Sequence, residues 1–278
     1  MKLAIRGHDL GKKGEFDLCE RLVGFGFDGV QLVPHKTFAD FPYSPGIDEK
    51  KVADIKARLD AAGVEIYLLG AYFNPVHSNE EKVANGVAVF KKYLELSDKF
   101  GCGYVGSETG SYNDDKWTYN PANRTDHALD KVISVFADLK AHADKCGAKI
   151  AMEGAAAHVC FCPERLKEAL DAIGGDTGVI FDIYNYLDDG NYRDYKKIFS
   201  KGLDLFDKKI IVFHMKDFRI EDGKIRQCPI GKGVIDYEWL LSAIKDYDEN
   251  AKLVLEGTTG EDIAPSVGLI NKIRKQTI

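Results

Sequence analysis

The chain of 278 residues has no apolar run approaching the roughly 20 residues that span a bilayer, which argues against a transmembrane helix. It also lacks an excess of positive charge. Lys and Arg number 38 against 44 Asp and Glu, a net charge of −6. That balance favours solubility and withholds the broad basic surface on which duplex binding depends, so no nucleic-acid partner is expected. Six cysteines, at 19, 102, 146, 160, 162 and 228, show neither a disulfide framework nor a zinc-finger spacing. Cys160-Phe161-Cys162 is the close pair, but no second pair completes a soft-metal site, and both read as reduced thiols. Arg6 and His8 interrupt the start of the chain before a signal-peptide core could form, so a cytoplasmic protein is expected. No phosphate-binding loop is present. Residues 7–14 match one only loosely, and Lys12 and Lys13 read as a solvated turn. No Pro-, Ser- or Gly-rich linker divides the chain, which reads as one domain over residues 1–278.

What is present is alternation. Strand-like runs begin near Leu3, Asp28, Val64, Tyr104, Ala148, Gly178, Lys209 and Lys252, with amphipathic stretches between them. Residues 48–59 carry apolar side chains three and four apart. Gly26, Gly63 and Gly147 each stand between a helical stretch and the next strand, where a left-handed residue closes the helix. Eight such units predict a (β/α)₈ TIM barrel, with an open doubly wound sheet as the alternative. Four of the strands end in Glu153, Asp182, His214 and Glu256, spaced by 29, 32 and 42 residues. Ala151, Ile180, Val212 and Val254 lie two residues earlier and share the face of those polar ends, whereas Met152, Phe181, Phe213 and Leu255 face the other way. Smaller residues inside and bulkier ones outside favour the barrel.

Three carboxylates and an imidazole converging on one rim suit Mn²⁺, Co²⁺, Mg²⁺ or Zn²⁺. Such a divalent metal ion leaves room for two oxygens of a sugar and would stabilise an enediolate, while neighbouring carboxylates remove and return the proton. Each residue alone could equally be a loop cap or an ion-pair member; four together on successive strands favour the metal.

The motifs that carry a family resemblance run through nearly the whole chain. They are residues 26–32 (GFDGVQL), 151–153 (AME), 182–185 (DIYN), 214–217 (HMKD), 231–237 (GKGVIDY) and 255–257 (LEG). In this order they resemble the xylose isomerase-like TIM-barrel superfamily of sugar phosphate isomerases and epimerases, which also contains AP endonuclease family 2. The resemblance to the ketose 3-epimerase branch implies that Glu153 and Glu256 bind metal and form the acid/base pair, with Asp182 and His214 as the other ligands. That branch often has His where Asn185 stands, and Asn can hydrogen-bond a hydroxyl but does not titrate near neutral pH. The DNA-repair branch, typified by endonuclease IV, needs extra histidines for its three zinc ions. Asn185 and Glu108 stand where two would be, and no Asp-x-His follows His214. The expected activity is therefore metal-dependent sugar isomerisation or epimerisation. A dehydratase or lyase on a keto-sugar or inosose, a phosphodiesterase and a non-catalytic sugar-binding barrel are the alternatives.

Around this set, His8, Glu108, His158, Asn185, Lys216 and Arg219 are candidate substrate contacts, each with a structural reading beside it. His8 follows strand one on the parity of Ala4 and Arg6, and Lys216 shares the parity of His214. Glu108 closes the fourth strand, and His158 and Arg219 lie in loops beyond Glu153 and His214. Arg219 reads equally as a phosphate contact or a solvated surface arginine. Tyr112, Trp117 and Tyr119 in the loop after strand four can stack on a sugar or form an oligomer contact, which leaves a homo-oligomer open.

Overall fold

The computed structural model describes residues 1–11, 14–116 and 118–276; Lys12, Lys13 and Trp117 lie outside the described residues. Eight parallel strands close into a barrel: β1 (Lys2–Arg6), β2 (Gly29–Leu32), β3 (Glu65–Gly70), β4 (Tyr104–Glu108), β5 (Lys149–Glu153), β6 (Gly178–Asp182), β7 (Ile210–Met215) and, after a hairpin of β8 (Asp217–Glu221) and β9 (Lys224–Cys228), β10 (Lys252–Leu255). Each strand pairs with its barrel neighbours in chain order, and β10 closes on β1. The hairpin was not anticipated. Its charged outer half, Arg219 to Glu221 and Lys224, reads as a loop in the sequence.

Helices follow from the periodicity. Val52, Ile55 and Leu59 of the helix Glu49–Ala61 are buried at the expected spacing, and Asp48 caps its start by accepting from the Lys50 amide. Gly26, Gly63 and Gly147 all have positive φ, 74°, 68° and 68°, as their positions between helix and strand require.

Two separate apolar clusters occupy the two faces of the barrel wall. Ala4, Tyr67, Leu68, Ala151, Ile180, Val212 and Val254 fill the interior. Met152, Phe181, Phe213 and Leu255 belong to the larger layer beneath the helices, where Phe181 stacks on Phe199 with ring centroids 5.0 Å apart. This division matches the parity of the four polar strand ends and orients them inward.

One irregularity sets the site. The β6–β7 register slips between Val179 and Ile180, so Val179 faces Ile210 but Ile180 faces Val212 and Asp182 faces His214. Without the slip Asp182 would stand beside Phe213, whose side chain points out of the barrel. A second slip, between Val30 and Gln31, sets Gln31 beside Leu68 of the interior. Such bulges commonly re-aim side chains next to active sites.

Candidate metal centre

Glu153, Asp182, His214 and Glu256 are all buried, and one donor atom from each lies within 4.8 Å of the other three. Four points so spaced fit inside a sphere of about 3 Å radius, and contraction of about 1 Å brings them to the 2.0–2.2 Å bonds of a first-row ion. Asp182 Oδ2 and Glu256 Oε2 are buried without a hydrogen bond among the described residues. Charges stand beside them instead: Lys216 Nζ is 2.9 Å from Asp182 Oδ2, and His214 Nδ1 is 2.6 Å from Glu256 Oε2. A divalent ion added to the Lys216 ammonium would balance the three carboxylates with His214 neutral. Donor chemistry, geometry and charge all fit a divalent ion.

His214 is oriented from behind. Its Nε2 lies 2.6 Å from Gln31 Oε1, which can only accept, so Nε2 carries the proton and Nδ1 faces the carboxylates. Gln31 Nε2 donates to Tyr72 Oη at 2.8 Å, and that hydroxyl donates to Glu153 Oε2 at 3.3 Å. A hydrogen-bonded chain thus runs from the imidazole to Glu153. Burial alone would lower the His214 pKa, but the Glu256 and Glu153 carboxylates outweigh it and raise it to about 10. Metal-free His214 is therefore an imidazolium. Replacing Gln31 by Leu is expected to weaken divalent-metal binding by about 10–100-fold, the usual effect of removing such a support. Competition against a chelating dye gives the measurement, and unchanged affinity would mean that the carboxylates alone orient the ring.

The two glutamates sit in different company. His214 Nδ1 is shared, 3.2 Å from Glu153 Oε1 and 2.6 Å from Glu256 Oε2. Beyond that ring Glu153 meets neutral donors: Asn185 Nδ2 donates to its Oε1 at 2.8 Å, and the Tyr72 hydroxyl to the other oxygen. Glu256 Oε1 instead meets Arg6 Nη1 at 2.6 Å and Lys216 Nζ at 2.8 Å. Burial would raise the Glu256 pKa, but Lys216, His214 and Arg6 overcome it and hold the carboxyl well below the usual range. Burial raises Asp182 to about 6, against the pull of Lys216. Arg6 is itself fixed by Asp9, through Nε at 2.9 Å and Nη2 at 3.0 Å.

The hairpin anchors Lys216. Asp217 accepts from the backbone amides of Phe218, Gly231, Gly233 and Ile235 at 2.8–3.1 Å, and the Tyr237 hydroxyl donates to the Lys216 carbonyl at 2.8 Å. A Cβ at Gly233 would overlap Asp217 Oδ1 and the Phe218 carbonyl. The motifs at 214–217 and 231–237 are therefore one structural unit that aims Lys216 at the carboxylates.

A cavity of about 460 Å³ opens above the cluster, lined by Arg6, His8, Lys36, Tyr72, Glu108, Glu153, Tyr184, Asn185, Lys216, Gln227 and Glu256. His8, Glu108, Asn185 and Lys216 are thus brought together. Burial, and then Arg6, lowers His8 to about 4, while burial, and then Glu153, raises Glu108 to about 8. Both shifts favour the uncharged, hydrogen-bonding form of the group. Two candidates lie elsewhere. His158 is buried behind the rim, and burial pushes it down to about 3; it does not line this cavity. Arg219 is exposed on the hairpin, paired with Glu221 at 2.7 Å. Strand parity counted from His214 stops at Lys216 because the chain leaves the barrel there. Arg6 and Gln31 were passed over, although each is a polar residue in an apolar strand, the criterion that singled out the four cluster residues.

No protein of curated function matches the sequence. Solved structures match it along its whole length. A D-tagatose 3-epimerase-like protein is 19% identical, with a TM-score of 0.76 over 100% of this chain and 98% of its own. An IolI protein with a bound zinc atom is 19% identical, with a TM-score of 0.71 over 100% and 96%. A D-psicose 3-epimerase solved in the presence of D-fructose is 15% identical, with a TM-score of 0.68 over 100% and 96%. At these identities the likeness establishes the fold. The xylose isomerase-like TIM barrel family model matches residues 19–273, nearly the whole barrel, and the chain belongs to that family.

Proposed function

We propose that this chain is a divalent-metal-dependent sugar isomerase or epimerase that moves a proton at a carbon next to a carbonyl. The observation that carries the reading is the convergence of Glu153, Asp182, His214 and Glu256 from β5, β6, β7 and the end of β10 beneath an open cavity. The epimerase and zinc-bound neighbours support it.

Glu153, Asp182, His214 and Glu256 would hold a divalent ion, which would supply electrophilic stabilisation of negative charge on neighbouring substrate oxygens. The side chains do the rest. Glu256, kept ionised by Arg6 and Lys216, accepts or returns a proton on one side of the substrate carbon. Glu153, held by Asn185 and Tyr72, does so from the other. Lys216 and Asn185, joined at 2.9 Å, orient hydroxyls over the cluster. His8 and Glu108 stand on the cavity wall as further hydroxyl partners.

A panel of ketoses and aldoses in D₂O with added Mn²⁺ tests this. The expected result is deuterium at the substrate carbon in a product of unchanged elemental composition apart from the label. Loss of water from the product would assign a dehydratase instead, and absence of label from every sugar would reject proton transfer.

A further inference from the structure

The cavity above the cluster does not end at one sugar. Tyr184 and Asn185, on its rim, also line an adjoining hollow of about 460 Å³. The hollow's wall includes the consecutive small side chains of Ala155, Ala156 and Ala157. Tyr184 and Tyr119 are its aromatic rings; Tyr119 is 65% exposed, with the Arg124 guanidinium 5.6 Å from its ring centre.

The polar groups of the hollow define what fits. Asp188 Oδ1 accepts from the amides of Gly190 and Asn191, and Asp189 Oδ1 from that of Ile225. Each carboxylate keeps a second oxygen with no hydrogen bond among the described residues. The cation lining the hollow, Arg124, is committed: it donates to the Ala156 carbonyl at 3.1 Å and lies 3.5 Å from the Phe161 ring centre. Free acceptors beside aromatic faces suit a neutral group with hydroxyls on its edge and C–H bonds on its face. A phosphate or carboxylate would meet two like charges. A second hollow flanks the cavity beyond Tyr72; there Asn74 Nδ2 is taken by the Ser111 and Asp114 carbonyls of the loop after β4, and Asn79 Oδ1 by the Glu81 and Lys82 amides.

We propose that the substrate is a glycoside: a reacting keto-sugar over the cluster, linked to a neutral glycosyl unit lying on Tyr184, Tyr119 and the alanine wall. This rests on the sugar proton-transfer reading above and adds the substrate's length and charge.

The test uses Mn²⁺-loaded full-length protein in D₂O. D-Fructose and a fructose phosphate are compared with maltulose, isomaltulose and trehalulose, in which a free ketose carries a neutral glucosyl unit at different hydroxyls. At least one disaccharide should exchange with kcat/KM about tenfold above fructose, and the phosphate should be poorer than fructose. The disaccharide-to-fructose ratio should fall about five- to tenfold in Tyr119→Ala, the scale of one aromatic contact. Ala156→Leu, which narrows the hollow from the opposite wall, should lower the same ratio. The exposed position of Tyr119 keeps the first variant informative if the second folds poorly. Exchange with fructose as fast as with every disaccharide, or a ratio unmoved in Tyr119→Ala, would overturn the glycoside and leave the proton-transfer function standing. No exchange with any sugar would reject both.

Discussion

Glu153→Gln and Glu256→Gln should each lower deuterium exchange at the substrate carbon by about 10²–10⁴-fold, the scale of a lost general acid or base. An amide matches the carboxylate in shape but accepts no proton, and it is a weaker ligand. Metal content must therefore be measured in each variant. The two should differ in that respect. Apart from His214, which it shares with Glu256, Glu153 is held by neutral groups, and a Gln can still accept from Asn185 with its oxygen and donate to the Tyr72 hydroxyl with its amide nitrogen. Glu256 is held by two cations, Arg6 and Lys216, and its amide would leave both short of charge. Glu153→Gln should retain the ion better than Glu256→Gln. A variant with full metal occupancy and exchange within about threefold of the unmodified protein would remove that glutamate from proton transfer.

Lys216→Met should have the largest effect on stability, and a larger one without metal than with it. The Lys216 side chain is 6% exposed and lies 2.9 Å from Asp182 and 2.8 Å from Glu256. Removing one partner of such a buried pair leaves an uncompensated charge, at a cost of about 3–5 kcal/mol. In metal-free protein the remaining compensation comes from His214 and from Arg6, which is shared with Asp9. A bound divalent ion would offset most of the carboxylate charge left uncompensated. Urea unfolding with a chelator should show the full loss, and unfolding at saturating Mn²⁺ should show much less of it. An equal loss under both conditions would mean that Lys216 acts by packing, not by charge.

The fold was legible because a parallel barrel writes itself as repeated apolar runs, and all eight runs marked strands. The centre was legible for the same reason. A charged residue closing an apolar run is costly unless something pays for it, and side-chain parity put the four on one face. Less visible were the features that depend on register. The slip at Val179 and Ile180 leaves no mark in composition, yet it alone brings Asp182 level with His214. Arg219, which reads in the sequence as a loop residue that contacts substrate or is solvated, is exposed on the hairpin beside Glu221. Parity is a property of a continuous strand, and the chain turns out of the barrel after Lys216 into a hairpin tied down by Asp217. Gln31 and Arg6 were within reach of the criterion already in use, since β2 and β1 are otherwise apolar where those residues stand. Their roles, one steadying His214 and the other pinning Glu256, came only with distances.

The most direct measurement is deuterium exchange at the substrate carbon by metal-stripped protein as Mn²⁺ is titrated in, with bound metal counted at each step. Exchange should be absent at the start, rise in proportion to bound ion, and saturate at one ion per chain. Exchange by stripped protein equal to that of loaded protein, or saturation only after a second ion binds, would contradict a single centre built from Glu153, Asp182, His214 and Glu256.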